Sequence, residues 1–226
     1  MELEPAKMFE SFLNKEIEPA IEEIAALKKD ASRRHIQKLL YTNVVDRFDS
    51  MIDYCILENC EAEYFRGRAL KVADSPITEA QLIEYLLHGD KLNDVLRDRL
   101  QEGLRTRLLR ERHSAKVNHL VLATKPDEKW FFNELRVDPN KGKIHESKIA
   151  NHNKKIPQSV IGYADWLYSR RNALVHGGTN KFNATDRKYI KEKWKIDLSD
   201  SFTISLGSLR TALKFYSDVV VKLREN

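Results

Sequence analysis

Residues 171–176 read Arg-Asn-Ala-Leu-Val-His, and Gly177-Gly178 follow directly. Arg171 carries a permanent charge on a planar fork of donors, Asn172 a small amide, and His176 a ring that gains and loses a proton near neutral pH. Together these groups can hold a phosphate and move a proton without a metal. Such chemistry needs the three side chains held at one place, and a helix is the element that must do it.

That helix is predicted from Pro157 to His176, with the glycines ending it. Its apolar stripe runs Val160, Ala164, Leu167 and Leu174. Arg171 falls where the stripe calls for an apolar residue, so it requires a partner, a cleft or an interface. Arg170, one residue earlier, is expected to point nearer to solvent. Asn172 and His176 are four apart and lie over one another, with Asp165 and Ser169 behind them. An ideal helix sets Arg171 and His176 about 140° apart. They converge if the last turn loosens at the glycines, or if a second copy of the helix supplies the other half. The plainer reading makes Arg171 a core ion pair and His176 a cap on open carbonyls of a helical scaffold. Spacing alone is weak support, since Arg107/His113 and Arg112/His119 also satisfy an arginine–histidine pattern. The polar residue after the arginine, the amphipathic helix and the glycine at its end sharpen it.

Arg171-Asn172-Ala173-Leu174-Val175-His176-Gly177 resembles the signature of HEPN domains, in which a polar residue follows an arginine and a histidine lies four to six positions beyond it. Arg171, Asn172 and His176 match the three positions, and Gly177 and the run Ile204-Ser205-Leu206 into a terminal helix are similar to the prokaryotic toxin and phage-defence branches. The resemblance implies an all-α bundle of four or five core helices and a metal-independent endoribonuclease without cofactor. It also implies a homodimer with the motif helices facing each other, acting on single-stranded or looped RNA. His176 would move the proton at the ribose 2′-hydroxyl or the leaving oxygen, Arg171 would stabilise the phosphorane, and Asn172 would orient one of them. Arg170, Lys181 and Arg187 are the expected RNA contacts around this centre. A toxin or defence effector, with an antitoxin or defence-system partner, is implied by analogy alone. The alternative is a HEPN module that dimerises or binds nucleotide or RNA without catalysis.

The rest of the chain is read as support for that helix. Helical periodicity covers Pro5 to Lys29, broken or kinked at Pro19, and Ser32 to Glu61, with Ile36, Leu40, Val44, Phe48, Met51 and Cys55 on one face. Ser75-Pro76 starts a helix that stops at His88-Gly89 and carries Leu82, Ile83, Leu86 and Leu87. Asp90 caps the next, whose stripe is Leu92, Leu96, Leu100, Leu104 and Leu108. A short charged helix is expected from Thr185 to Trp194 and a last one from Ser205. Residues 113–156, rich in lysine, histidine and asparagine, read as an irregular insertion with room for a β-hairpin around Asp138–Gly142. The whole, 1–226, reads as one domain.

The composition excludes several classes. The 226 residues carry 39 Lys+Arg against 34 Asp+Glu, a formal charge of +5 that suits a polyanionic partner only weakly. Cys55 and Cys60 are five apart on one helix, a spacing unsuited to a disulfide, and no second cysteine pair completes a zinc site. No basic-then-apolar leader and no apolar run of membrane length occurs, which points to a cytoplasmic protein away from membranes. No glycine-rich phosphate loop argues for nucleotide hydrolysis. The arginines at 97, 99, 105, 107, 110 and 112 read as a solvated face paired with Asp94, Asp98, Glu102 and Glu111. His145, His152 and nearby lysines form a basic patch that could guide RNA, and Trp130, Phe131 and Phe132 anchor the insertion in the core. Asp46, Asp49 and Asp53 share the polar side of the long helix. Any of the three can pair with Arg171.

Overall fold

The structure is a computed structural model and describes residues 3–71, 78–87, 89–125, 134–145, 155–177 and 180–225. It is mostly helical, with one two-stranded sheet among the described residues. The Ser75-Pro76 helix start, His88, the Trp130–Phe132 aromatics, His152 and Gly178 lie outside those residues.

The chain opens with α1 (Glu4–Phe12), a π-helical turn (Leu13–Ile17) and α2 (Glu18–Ala25). Pro19 therefore does not break the helix. It sits in the first turn of α2, and the wider turn before it, closed by the Glu18 amide on the Leu13 carbonyl, absorbs the missing donor and the bulk of the ring. Helix α3 (Asp30–Glu58) is the axis of the bundle. The expected stripe through Val44, Phe48, Met51 and Cys55 is buried, and Tyr41, Val45, Ile52 and Ile56 extend it to a second face. Such a helix is contacted on more than one side, which a single-stripe reading underestimates.

Helices α4 (Glu63–Leu70), α5 (Glu79–Leu87) and α6 (Gly89–Arg107) follow; Gly89 and Asp90 are already helical, so Asp90 is not the cap outside the helix that the sequence suggests. Helix α4 lies close on α6, where a Cβ at Gly103 would come 2.8 Å from the Ala69 carbonyl oxygen.

The insertion expected over 113–156 is shorter than it looked. Residues 113–124 form α7 (His113–Thr124), which packs against α3 and against the later helix that begins at Val160. The reason lies in its buried face, which pairs Val117, Leu120 and Val121 with His113, Ser114 and Lys116. Buried polar groups that meet partners on other helices erase the apolar period. The β-hairpin is present: β1 (Arg136–Val137) pairs antiparallel with β2 (Ile144–His145), with Val137 opposite Ile144. Gly142 turns it at φ +69°, its amide donating to the Asp138 carbonyl at 2.7 Å. The hairpin bridges two helices, through the Val137 amide on Gln158 and the Ile144 amide on Asp218.

Helices α8 (Val160–Gly177), α9 (Ala184–Trp194) and α10 (Leu206–Arg224) complete the fold. Asn183 caps α9 and Ser205 caps α10 through their side-chain oxygens, as short polar residues do. Helix α8 lies between the main core and a smaller cluster of Phe182, Ile190, Ile196 and Leu198. It is therefore buried nearly all round over its first three turns, including Asp165, Ser169 and Arg170.

Candidate active site at the end of α8

Double coverage of α8 overturns the expectation for Arg170. It is 4% exposed and does not face solvent. Its Nη2 donates to the Thr203 carbonyl at 2.6 Å, and its guanidinium lies 4.6–5.2 Å from the ring centres of Trp166, Phe202 and Tyr41. A cation enclosed by ring faces and a carbonyl joins the two cores, and it is not available to RNA. Asp165, one turn earlier, is fully buried and accepts from the Ser114 amide, the Tyr189 hydroxyl and the Trp194 indole at 2.9–3.2 Å.

Arg171 emerges where this coverage ends. Its side chain is 20% exposed, and its Nε stands 2.5 Å from Asp46 Oδ1. Of the three aspartates that could pair with it, Asp46 does. Arg171 Nη1 donates to Asn172 Oδ1 at 3.2 Å, and Asn172 Nδ2 reaches Asp186 Oδ2 at 3.5 Å. Asp186 is itself fixed. Its amide donates to Asn183 Oδ1 at 2.7 Å, and its carboxylate accepts from Asn183 Nδ2 at 2.7 Å and from Arg112. Arg112 is thus no member of a solvated ladder: it is paired with Asp186 and lies 3.8 Å over the Tyr189 ring. Elsewhere on the ladder the expected pairing holds for Arg105 with Glu102, at 3.8 Å, whereas Arg97 reaches back to Glu61 on the chain before α4.

His176 is exposed on the last turn of α8 and makes no hydrogen bond or ion pair among the described residues. The structure thus joins Arg171 to Asn172 and leaves His176 open to solvent on the same helix end. Of the flanking cations, Arg187 pairs with Asp200 at 2.7 Å while staying 46% exposed, and Lys181 is an exposed residue bridged by its backbone to Ser201.

A second polar cluster adjoins the first. Lys116, 3% exposed, places Nζ 2.9 Å from Asp49 Oδ1 and 2.7 Å from Asp53 Oδ1. His113, fully buried, places Nε2 2.9 Å from Asp49 and stacks 4.2 Å from Tyr168, whose ring also lies 5.9 Å below the Arg171 guanidinium. Burial pushes the Asp49 carboxyl up, but His113 and Lys116 outweigh it and hold it at about 2. Asp53 is pushed up to about 6, by burial first and by Asp49 beside it, against the pull of Lys116. His113 is sealed and cannot touch a substrate. Its pattern was legible: His113 and Lys116 one turn apart answer Asp49 and Asp53, one turn apart on α3.

No cluster of three or more His, Cys, Asp or Glu side chains suited to a metal ion occurs among the described residues. No described helix is long and apolar enough to cross a membrane. No protein-family model, curated protein sequence or solved structure matches the chain.

Proposed function

We propose that this protein is a HEPN-type endoribonuclease that cleaves single-stranded or looped RNA without a metal. The observation that carries the reading is the state of Arg171: half-buried, fixed at Nε by Asp46 and at Nη1 by Asn172, with no protein acceptor on Nη2 among the described residues. A guanidinium held on one edge and open on the other can take a phosphate oxygen without first being ordered. His176 stands unpartnered on the same helix end.

In this reading His176 removes the proton from a ribose 2′-hydroxyl. The 2′-oxygen attacks the adjacent phosphorus, and the bond to the 5′-oxygen breaks. That oxygen takes a proton from a second acid, which the facing His176 of a second copy supplies. Arg171 stabilises the charge gathering on the phosphorane. The products carry a 2′,3′-cyclic phosphate and a 5′-hydroxyl. The working form is a homodimer through the motif helices. Val175, 48% exposed beside His176, suits such a contact. Toxin or defence activity in the cytoplasm, restrained by a partner protein, completes the proposal.

The Asp46 ion pair favours a second reading, a module that dimerises or binds RNA without cleaving it, because the charge of Arg171 is already compensated. Incubation of wild type and His176→Ala with total RNA in EDTA separates the two. Cleavage by the wild type alone, with cyclic-phosphate ends, supports the nuclease. Intact RNA in both arms, with RNA retained by both proteins, supports the module.

A further inference from the structure

A chain of polar side chains outside the α8 site joins α4 to α7. The Tyr64 hydroxyl lies 2.7 Å from His119 Nδ1, and His119 Nε2 lies 3.1 Å from Glu111 Oε2. An ionised carboxylate can only accept, so Glu111 takes the Nε2 proton. Nδ1 is left as a bare acceptor, and Tyr64 donates to it. Burial first, then Arg68 and Arg107, hold His119 below its ordinary value against the pull of Glu111, so the ring is neutral at pH 7. Burial pushes the Tyr64 phenol up although Arg68 pulls it down, so the phenol keeps its proton until a base removes it. A hydroxyl, a base within hydrogen-bond reach and a carboxylate that orients the base make the arrangement of an activated nucleophile. Tyr64, Arg68, Glu111 and His119 are all partly exposed, and a solute can reach them.

Two cations stand beside this relay. The Arg68 guanidinium, one turn along α4, lies 4.5 Å from the centre of the Tyr64 ring, and Arg107 ends α6 within electrostatic range of His119. The sequence reads Arg107 as part of a paired face, but neither arginine forms an ion pair among the described residues. Glu111 offsets one of the two charges, and the cluster keeps a net positive charge that suits an anionic solute. We propose that Tyr64, His119 and Glu111 form a second catalytic site, which hydrolyses a carboxylic ester bearing an anionic group. Tyr64 Oη attacks the carbonyl carbon while its proton passes to His119 Nδ1. Arg68 meets the charge that gathers on the carbonyl oxygen, and Arg107 holds the anionic group. The bond from carbon to the leaving oxygen breaks, and that oxygen takes the proton from Nδ1. Water repeats the sequence on the acyl-tyrosine, which releases the acid and restores the phenol. One imidazole serves both the attacking and the leaving oxygen at a tetrahedral carbon. At phosphorus the two lie in line on opposite sides, so a single imidazole favours carbonyl chemistry. No residue of the cluster belongs to α8, and the inference does not rest on the ribonuclease reading.

The test uses the full chain with mono-p-nitrophenyl succinate, and the neutral p-nitrophenyl acetate beside it. Tyr64→Phe keeps the ring and removes only the oxygen. It should lower kcat/KM for the succinate ester by about 100-fold or more, as should His119→Ala, with far-UV dichroism unchanged. The wild type should turn over the anionic ester faster than the neutral one. Acid quenching during turnover should trap a succinyl group on Tyr64, located by peptide mass mapping, which a merely structural tether between α4 and α7 would not yield. Equal rates for folded wild type and Tyr64→Phe overturn the inference. So do succinyl groups on lysines alone, or equal rates for the two esters. If a variant fails to fold, the adduct map of the wild type decides.

Discussion

At the scale of single residues, adjacent arginines take opposite parts. Arg170 and Arg171 differ by one position and about 100° around the helix, enough to carry one into an aromatic cage and the other to the surface. Arg170→Ala is expected to cost about 3 kcal/mol, the sum of a buried charged hydrogen bond and its ring contacts. Arg187→Ala, whose ion pair is exposed, should cost under about 1 kcal/mol. Urea unfolding of both variants checks the contrast, and equal losses would refute it. Asp53 supplies a test by pH. Its folded value of about 6 lies above the ordinary 3.8. The folded chain therefore holds a proton between pH 6 and 4 that the unfolded chain releases, and the ionised form weakens the fold above pH 6. Asp53→Asn should gain stability relative to wild type as pH rises from 4 to 7. Parallel unfolding profiles for the two proteins would contradict this. Asp49 has the opposite sign: its contribution is complete above about pH 4 and fades as pH falls toward 2.

At the scale of elements, two short features tie the site helix to the rest. The β-hairpin depends on Gly142, whose positive φ and close approach to the Thr211 carbonyl leave no room for a Cβ. Gly142→Ala should destabilise by more than about 1 kcal/mol and speed amide exchange in β1 and β2; unchanged exchange would count against it. The cap of α9 has a second task. Asn183 holds Asp186, and Asp186 reaches the Asn172 amide. Removing the cap as Asn183→Ala should cost about 1 kcal/mol. If the proposed chemistry is correct, the variant should also lose cleavage rate beyond what the loss of fold explains. The expected sign is a fall in kcat with KM little changed, because the arginine is still present but less well oriented.

At the scale of the whole molecule, the fold is two cores joined through α8. The motif therefore sits at the end of a helix enclosed over its first three turns, while its last turn meets solvent. Binding can be separated from cleavage by using His176→Ala. Its affinity for a single-stranded RNA should fall with salt at a log–log slope of about −0.7 for each phosphate contacted. A flat response would remove phosphate recognition from the account.

How much of this was written in the chain depends on what each feature needs. Some helix ends were legible, because caps and turn glycines act on their immediate neighbours: Ser205 opens α10 and Gly142 turns the hairpin, as read, whereas Pro19 is taken up by a wider turn and Asp90 lies inside α6. The proximity of Arg171 to Asn172 was legible for the same reason. The choice of Asp46 among three aspartates was not, since it depends on the rotation of α3 against α8, and neither helix encodes that alone. The burial of Arg170, the order of α7 and the entry of Arg112 and Asp186 into the site were hidden likewise. Each arises where a polar group is enclosed by partners far away in sequence. Local periodicity records which residues avoid water, and only the packed chain decides which polar ones are compensated well enough to leave it.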